Sequence, residues 1–143
     1  MTQSAAGYAG DVSPKEAFEI LSTDADAVLV DCRTTPEWQF VGVPDLSPLG
    51  KEAVLLSWQV YPAMEVQADF AEQVKTHGVT PDQPVLLLCR SGVRSKAAAI
   101  ALTQAGFHKA FNVAEGFEGD KDGEQHRGRA GGWKAANLPW VQK

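Results

Sequence analysis

Four short apolar runs, separated by segments with helical spacing, constrain the fold of this chain most strongly. The runs are residues 27–30, 53–56, 84–88 and 110–113. Runs this short and this continuously apolar are typical of strands that are buried on both faces of a parallel sheet. Between them, apolar residues recur three and four positions apart, as on one face of a helix. Strands that alternate with helices predict an α/β fold with a mostly parallel central sheet flanked by helices.

Local signals set the predicted bounds of several elements. Residues 13–16 combine a Ser at the N-cap, a Pro at the first helical position and a Glu three residues after the Ser, and residues 34–37 resemble a second start of this kind. Apolar residues at helical spacing predict a helix over residues 66–77, and Ser95 is positioned to cap the helix that follows the third strand. Residues 42–50 are rich in Gly and Pro and predict a loop.

Length and charge narrow the class of protein. The chain has 143 residues, which fits one domain, and we expect a flexible N-terminal segment over residues 1–10 and a single domain over residues 11–143. A formal net charge of −5 argues against general affinity for nucleic acid or for an anionic membrane. No apolar run approaches the roughly 18 residues needed to cross a bilayer, and the N-terminus lacks the features of a signal peptide. These observations predict a cytoplasmic protein.

Cysteine and histidine usage limits the possible sites. The two cysteines, Cys32 and Cys89, are too few for a disulfide framework and are expected to be thiols in a reducing compartment. Three scattered histidines do not show the ligand spacing of a structural zinc site. The acidic run over residues 120–124 lacks the further oxygen ligands and the correctly placed final Glu of a calcium loop. The sequence therefore predicts no metal site.

The strongest chemical signal lies in Cys89–Ser95, the sequence C-R-S-G-V-R-S, which we call the Cys89 loop. It follows the third predicted strand and leads into a helix, and ligands of open parallel sheets bind at the carboxyl ends of strands. Backbone N–H groups at such a turn can surround an anion, and Gly92 permits backbone angles that a Cβ resists. Arg90 and Arg94 add positive charge. These features favour the thiolate of Cys89, which is the nucleophilic form of a cysteine.

Two other interpretations of Cys89 stay open on these residues alone. One is a buried thiol without chemistry, which is what most free cysteines are. The other is a phosphatase or arsenate reductase that uses the same combination of cysteine and arginine. Four residues separate Cys89 from Arg94, one fewer than in phosphatases with a catalytic cysteine. The tighter ring suits a single sulfur atom better than a phosphoryl group.

With this loop, the chain resembles the rhodanese family of thiosulfate sulfurtransferases and their relatives. The segment V-L-V-D-C-R over residues 28–33 is similar to the first strand motif of the family, and T-P-E-W over residues 35–38 to the segment that follows it. Residues 112–117 and 132–140 resemble the closing motifs of single-domain members. The chain departs from the family pattern at Glu115, which is expected either to change a turn or to place a carboxylate near the site.

The resemblance implies a rhodanese-like α/β fold and an enzyme that moves sulfane sulfur through a persulfide on Cys89. The donor would be thiosulfate or a persulfide, and the acceptor cyanide or a thiol, including a protein thiol. No metal or organic cofactor is needed. Cys89 takes the role of nucleophile, and the implied donor-binding and persulfide-binding residues are Arg90, Ser91, Gly92, Val93 and Arg94. The residues expected to support the loop are Asp31, Arg33 and Ser95.

A non-catalytic rhodanese module is a third interpretation, in which the thiol senses oxidation or the domain docks a partner. Retention of Cys89 together with Arg90 and Arg94 argues against it, since loss of the nucleophile is the simplest route to an inactive member. Cys32 is a candidate to resolve a Cys89 persulfide because it also follows a strand end. A packed, unreactive thiol is the preferred interpretation of Cys32.

Overall fold

The computed structural model describes residues 3–5, 7–60, 63–119 and 131–141. The strands are β1 (Gln3–Ala5), β2 (Tyr8–Val12), β3 (Val28–Asp31), β4 (Val43–Pro44), β5 (Val54–Leu55), β6 (Gln59–Val60), β7 (Glu65–Val66), β8 (Val85–Leu88), β9 (Ala110–Val113) and β10 (Trp140–Val141). The helices are α1 (Pro14–Thr23), α2 (Thr35–Phe40), α3 (Phe70–Thr76), α4 (Val93–Gln104) and α5 (Gly132–Ala135), with a 3₁₀ turn over Ser47–Leu49.

A six-stranded sheet organises these elements in the order β1-β2-β9-β8-β3-β5. Strands β2, β9, β8, β3 and β5 run parallel, and β1 runs antiparallel to β2 at one edge. Side chains of α3 and α4 cover one face of the sheet, and side chains of α1 and α5 cover the other. The predicted mostly parallel sheet flanked by helices is confirmed.

The side chains of β8 alternate between the two cores that cover the sheet. Leu87 and then Cys89 lie in the core with α3 and α4, whereas Leu86 and Leu88 lie in the core with α1 and α5. Every residue of β8 is buried, which explains why the strand is continuously apolar. The neighbouring strand β3 is in parallel register with β8 and follows the same alternation, so Cys32 lies on the same face as Cys89.

A buried ion pair between Asp31 and Arg33 closes the carboxyl end of β3. Both side chains are fully buried, and the guanidinium donates two hydrogen bonds to the carboxylate, from Nε at 2.8 Å and from Nη2 at 2.6 Å. Nη2 also donates to the carbonyl of Gly42 at 2.7 Å, and the guanidinium lies 4.3 Å from the centroid of the Phe117 ring. Because Phe117 packs in the core with α1 and α5, this ion pair lies on the face of the sheet opposite to Cys89.

The N-terminal part of the chain contains two strands that the sequence did not predict. Residues 3–5 form β1 and residues 8–12 form β2, and β2 lies beside β9 inside the sheet. The domain boundary at residue 10 stays a prediction. Small residues conceal the strand pattern of β2, in which Tyr8 and Val12 bring the large buried side chains. Residues 120–130, which form most of the loop predicted over residues 118–132, lie outside the part of the chain that the structure describes.

Three further elements differ from those predicted. The predicted loop over residues 42–50 contains β4, which pairs with β10 near the end of the chain. Val66 lies in β7, paired with β6, and α3 begins only at Phe70. The N-cap of α4 is Gly92 rather than Ser95, because the left-handed backbone of Gly92, with φ of 105°, turns the chain directly into the helix. Ser95 is consequently free for another contact.

Asp31→Asn tests the importance of the buried ion pair. The substitution leaves the Arg33 guanidinium buried without its counter-charge, and we expect the free energy of unfolding to fall by about 3–5 kcal/mol. The measurement is equilibrium unfolding in urea. Glu72→Gln is the matched control, because it removes an exposed carboxylate that lies 3.6 Å from Lys75, and such pairs contribute about 0–1 kcal/mol. Equal losses in the two variants would contradict this view of the ion pair.

Candidate active site

The thiol of Cys89 lies at the carboxyl end of β8, inside a turn that ends at the first residue of α4. The backbone N–H of Gly92 donates a hydrogen bond to Cys89 Sγ at 3.1 Å. The loop needs glycine at this position, because φ is positive and an added Cβ would lie 2.1 Å from the carbonyl oxygen of Ala114. The structure therefore places one backbone N–H, that of Gly92, against the sulfur.

The turn after β9 holds the Cys89 loop from the outside. The N–H of Phe117 donates to the carbonyl of Cys89 at 2.7 Å, and the N–H groups of Glu118 and Gly119 donate to the carbonyl of Arg90 at 3.0 Å each. A Cβ on Gly116 would lie 2.5 Å from the Cys89 carbonyl oxygen, so the two backbones approach too closely for any other residue. The carbonyls of Cys89 and Arg90 thus accept hydrogen bonds from this turn, and the Gly92 N–H donates to the sulfur.

Polar side chains connect the thiol across strands β9 and β2, on the same face of the sheet. Ser95 Oγ lies 3.2 Å from Cys89 Sγ and 2.5 Å from Asn112 Oδ1. Asn112 Nδ2 donates to Asp11 Oδ1 at 3.0 Å, and the Tyr8 hydroxyl donates to the same oxygen at 2.8 Å. Ser95 and Asn112 are buried, so the contact between them and the contact of Ser95 with Cys89 are shielded from water, whereas Asp11 is exposed.

The direction of these hydrogen bonds follows from their chemistry. Burial and then the hydrogen bond to Asp11 raise the pKa of Tyr8 to about 12. The Tyr8 hydroxyl therefore stays protonated and donates a hydrogen bond to the Asp11 carboxylate. Because that carboxylate only accepts, Asn112 presents its NH₂ group to Asp11 and its oxygen to Ser95. The single hydroxyl hydrogen of Ser95 then has two acceptors, Asn112 Oδ1 and Cys89 Sγ. It can serve only one of them at a time.

This competition links Ser95 to the protonation of Cys89. When the sulfur carries its proton, the S–H can donate to Ser95 Oγ while the hydroxyl donates to Asn112. When the sulfur is a thiolate, the hydroxyl can turn to Sγ and stabilise the charge, at the expense of its bond to Asn112. Ser95 Oγ thus lies in direct contact with Cys89 Sγ, and a supporting role for Ser95 stays a prediction.

Arg94 is held by Glu37, which lies in the first turn of α2. Arg94 Nη1 and Nη2 donate to Glu37 Oε1 and Oε2 at 2.8 and 3.0 Å, a bidentate pair. Burial alone would raise the pKa of Glu37, but the hydrogen bonds and charge of Arg94 hold that pKa below its usual value. Burial would likewise lower the pKa of Arg94, and Glu37 holds it above its usual value. Both groups therefore stay ionised at neutral pH.

The remaining residues of the Cys89 loop lie at or near the surface. Arg90 is exposed, Ser91 is partly buried and Val93 is 77% exposed, whereas Cys89 is only 1% exposed. Gly92 and Ser95 contact the nearly covered sulfur directly, whereas Arg90 and Val93 lie at the surface. Asp31 and Arg33 lie on the other face, and the Arg33 guanidinium packs on Phe117, whose N–H donates to the Cys89 carbonyl.

Cys32 is fully buried beside Cys89, on the adjacent strand. Burial raises the pKa of the Cys32 thiol well above its usual value, and the negative charges of Cys89 and Asp31 add to that rise. Cys32 is therefore a protonated thiol at neutral pH. This environment agrees with the preferred interpretation of Cys32 as a packed residue.

Three participants were not predicted from the sequence: Asp11, Glu37 and Asn112. Asn112 offered a signal, since it is a polar residue inside the apolar strand β9. Glu37 fits the helix-start motif of residues 34–37, and this motif explains a Glu at that position without any contact to Arg94. Glu115, which was expected either to change a turn or to approach the site, accepts a hydrogen bond from the N–H of Gly132 at 2.8 Å and so fixes the start of α5.

Among the described residues, no group of three or more His, Cys, Asp or Glu side chains is placed to hold a metal ion. Over the same ranges, none of the helices has the length and apolar character that crossing a bilayer requires.

The mostly parallel sheet flanked by helices, with Cys89 in a short loop between β8 and α4, agrees with a rhodanese-like domain. Residues 9–143 match the family model described as the STR4 middle domain, and the chain belongs to this rhodanese-like, sulfurtransferase-type family. The crystal structure of Rv0390 from Mycobacterium tuberculosis is similar, with 48% identity, a TM-score of 0.84 and coverage of 95% of this chain and 99% of that one.

Two curated proteins extend the comparison. An uncharacterized protein of Rickettsia conorii is 35% identical over 130 residues, which are 91% of this chain and 95% of the relative. The thiosulfate sulfurtransferase GlpE of Glaesserella parasuis is 30% identical over 109 residues, which are 76% of this chain and 83% of that protein.

Opposite shifts in thiol reactivity are expected from Ser95→Ala and Asn112→Ala. Ser95→Ala removes a donor to the thiolate, so the midpoint of the alkylation rate against pH moves up by about one pH unit. Asn112→Ala releases the Ser95 hydroxyl to the sulfur, so the midpoint moves down. The measurement is iodoacetamide alkylation of Cys89, followed by mass spectrometry. Thr103→Ala, which removes a hydroxyl that donates to the Ala99 carbonyl, is the control and leaves the midpoint unchanged. Shifts in the same direction would contradict the competition for the Ser95 hydrogen.

Proposed function

We propose that the protein is a sulfurtransferase that accepts sulfane sulfur from thiosulfate or an organic persulfide, holds it as a persulfide on Cys89, and passes it to cyanide or a thiol. The observation that carries this proposal is the Cys89 sulfur itself, which accepts a hydrogen bond from the Gly92 N–H at 3.1 Å at the start of α4. A backbone N–H at that position stabilises negative charge on sulfur without a basic side chain.

The first half-reaction is a displacement at sulfur. The Cys89 thiolate attacks the outer sulfur of the donor, the S–S bond of the donor breaks, and its electron pair leaves with the departing group. With thiosulfate the leaving group is sulfite, and with an organic persulfide it is the thiolate of the donor. In each case one new S–S bond forms on Cys89, about 2.05 Å long, and the charge is conserved.

The second half-reaction returns Cys89 to its starting state. An acceptor thiolate or cyanide attacks the outer sulfur, and the Cys89 thiolate leaves. The Gly92 N–H and the Ser95 hydroxyl stabilise that leaving thiolate, so the groups that favour ionisation also favour sulfur release. Because Cys89 is only 1% exposed, an acceptor reaches the outer sulfur more easily than it reaches Sγ.

Phosphoryl transfer fits the site less well. A phosphatase that uses a cysteine and an arginine needs the guanidinium on the phosphoryl oxygens. Here both terminal nitrogens of Arg94 are engaged by the Glu37 carboxylate. We therefore expect no hydrolysis of p-nitrophenyl phosphate above the rate of Cys89→Ser.

Persulfide loading tests the proposed function directly. Separate samples receive excess thiosulfate or excess 2-hydroxyethyl persulfide, and intact-protein mass spectra are recorded after removal of the donor. We expect one added sulfur atom that dithiothreitol removes. Cys32→Ser is the matched control and gains the same sulfur, whereas Cys89→Ser gains none. A protein that takes up no sulfur from either donor, or one whose adduct survives Cys89→Ser, would refute the proposal.

A further inference from the structure

The positive charge around Cys89 is smaller than the sequence suggests. Arg90 is exposed, and among the described residues no ion pair involves it. Arg94 is half-buried, and its two terminal nitrogens face the two oxygens of Glu37. Of the two arginines in the Cys89 loop, only Arg90 therefore offers an incoming donor a positive charge that no neighbouring carboxylate offsets among the described residues.

The position of the Glu37 carboxylate does not depend on Arg94 alone. Glu37 Oε1 also accepts hydrogen bonds from the backbone N–H of Thr34 at 3.2 Å and from the Thr34 hydroxyl at 3.0 Å. These bonds fix the carboxylate at the start of α2. A donor that draws Arg94 away would leave the carboxylate in place, partly buried and facing the donor.

Two candidate donors respond differently to that carboxylate. Thiosulfate is a dianion whose sulfonate group needs a cation, so it competes with Glu37 for Arg94 and is repelled by the carboxylate. An organic persulfide carries no charge beyond its reactive sulfur unless its organic group adds one. Its transfer requires only that the Cys89 thiolate attack the outer sulfur and that the organic thiolate leave.

Exposed apolar side chains lie close in the sequence to both members of the ion pair. Val93, next to Arg94 in the chain, is 77% exposed, and Phe40 is 74% exposed. Phe40 lies three residues after Glu37, a spacing that places both on one face of α2. An organic group can contact such side chains, whereas the sulfonate of thiosulfate gains nothing from them.

We propose that Glu37 is a specificity-determining residue, which neutralises Arg94 and directs the site towards organic persulfides and away from thiosulfate. This inference rests on the proposed sulfur-transfer function and names its preferred class of donor. Glu37 acts through Arg94 and takes no part in bond making or breaking.

Glu37→Gln tests this inference, because Gln keeps an oxygen for Thr34 and removes the charge. The rate of sulfur loading on Cys89 is measured against donor concentration, by rapid quench with iodoacetamide and intact-mass analysis. The donors are thiosulfate and 2-hydroxyethyl persulfide, whose organic group is uncharged. We expect the half-saturating thiosulfate concentration to fall about tenfold, the effect of roughly 1.4 kcal/mol, and the persulfide value to change by less than about twofold.

Further variants test whether Glu37 affects thiosulfate loading through Arg94 or through the net charge of the protein. Glu72→Gln changes the net charge equally at an exposed position and should leave both donors unaffected. In an Arg94→Ala background, Glu37→Gln should lose most of its benefit for thiosulfate, because no guanidinium remains to be released. Glu37→Ala provides a second removal of the charge if the Gln variant folds poorly.

The outcomes distinguish the two proposals. Equal changes for both donors in Glu37→Gln, or no change for thiosulfate, would overturn the role of Glu37 while leaving sulfur transfer intact. Failure of the unmodified protein to load sulfur from either donor would instead refute the proposed function itself.

Discussion

The contact between two backbone turns determines how the site is built. The turn after β9 donates three hydrogen bonds to the carbonyls of Cys89 and Arg90, and the approach is close enough to require glycine at positions 92 and 116. This contact holds the loop in the shape that places the Gly92 N–H on the sulfur. It also explains why Cys89 follows a central strand, since β8 and β9 are adjacent and their ends bring the two turns together.

Charge at the site is set by partners that lie far away in the sequence. Asn112 and Asp11 determine where the Ser95 hydrogen points, and Glu37 determines whether Arg94 presents a net charge. The sulfur is therefore stabilised mainly by a backbone dipole and a hydroxyl, with one exposed arginine nearby. Such a site can hold a sulfur anion in a protein of net charge −5 without attracting anions in general.

The parts of the structure predicted from sequence depend on local signals. β8 and the Cys89 loop are recognisable because a buried strand, a glycine and a helix start are consecutive in the chain. Two contacts join segments that are about a hundred residues apart: the pairing of β4 with β10 and the hydrogen bond between Asp11 and Asn112. No local sequence pattern predicts contacts of this kind. Glu37 had a sufficient local explanation as a capping residue, so its second partner stayed hidden. The strand character of residues 8–12 was concealed by small side chains.

A crystal structure of the protein after sulfur loading is the most direct test of this account. We predict electron density for one extra sulfur, about 2.05 Å from Cys89 Sγ, with the outer sulfur within hydrogen-bond distance of backbone N–H groups of the Cys89 loop and with Cys32 unmodified. Extra sulfur on Cys32, or a loaded Cys89 whose outer sulfur contacts no loop N–H group, would contradict it.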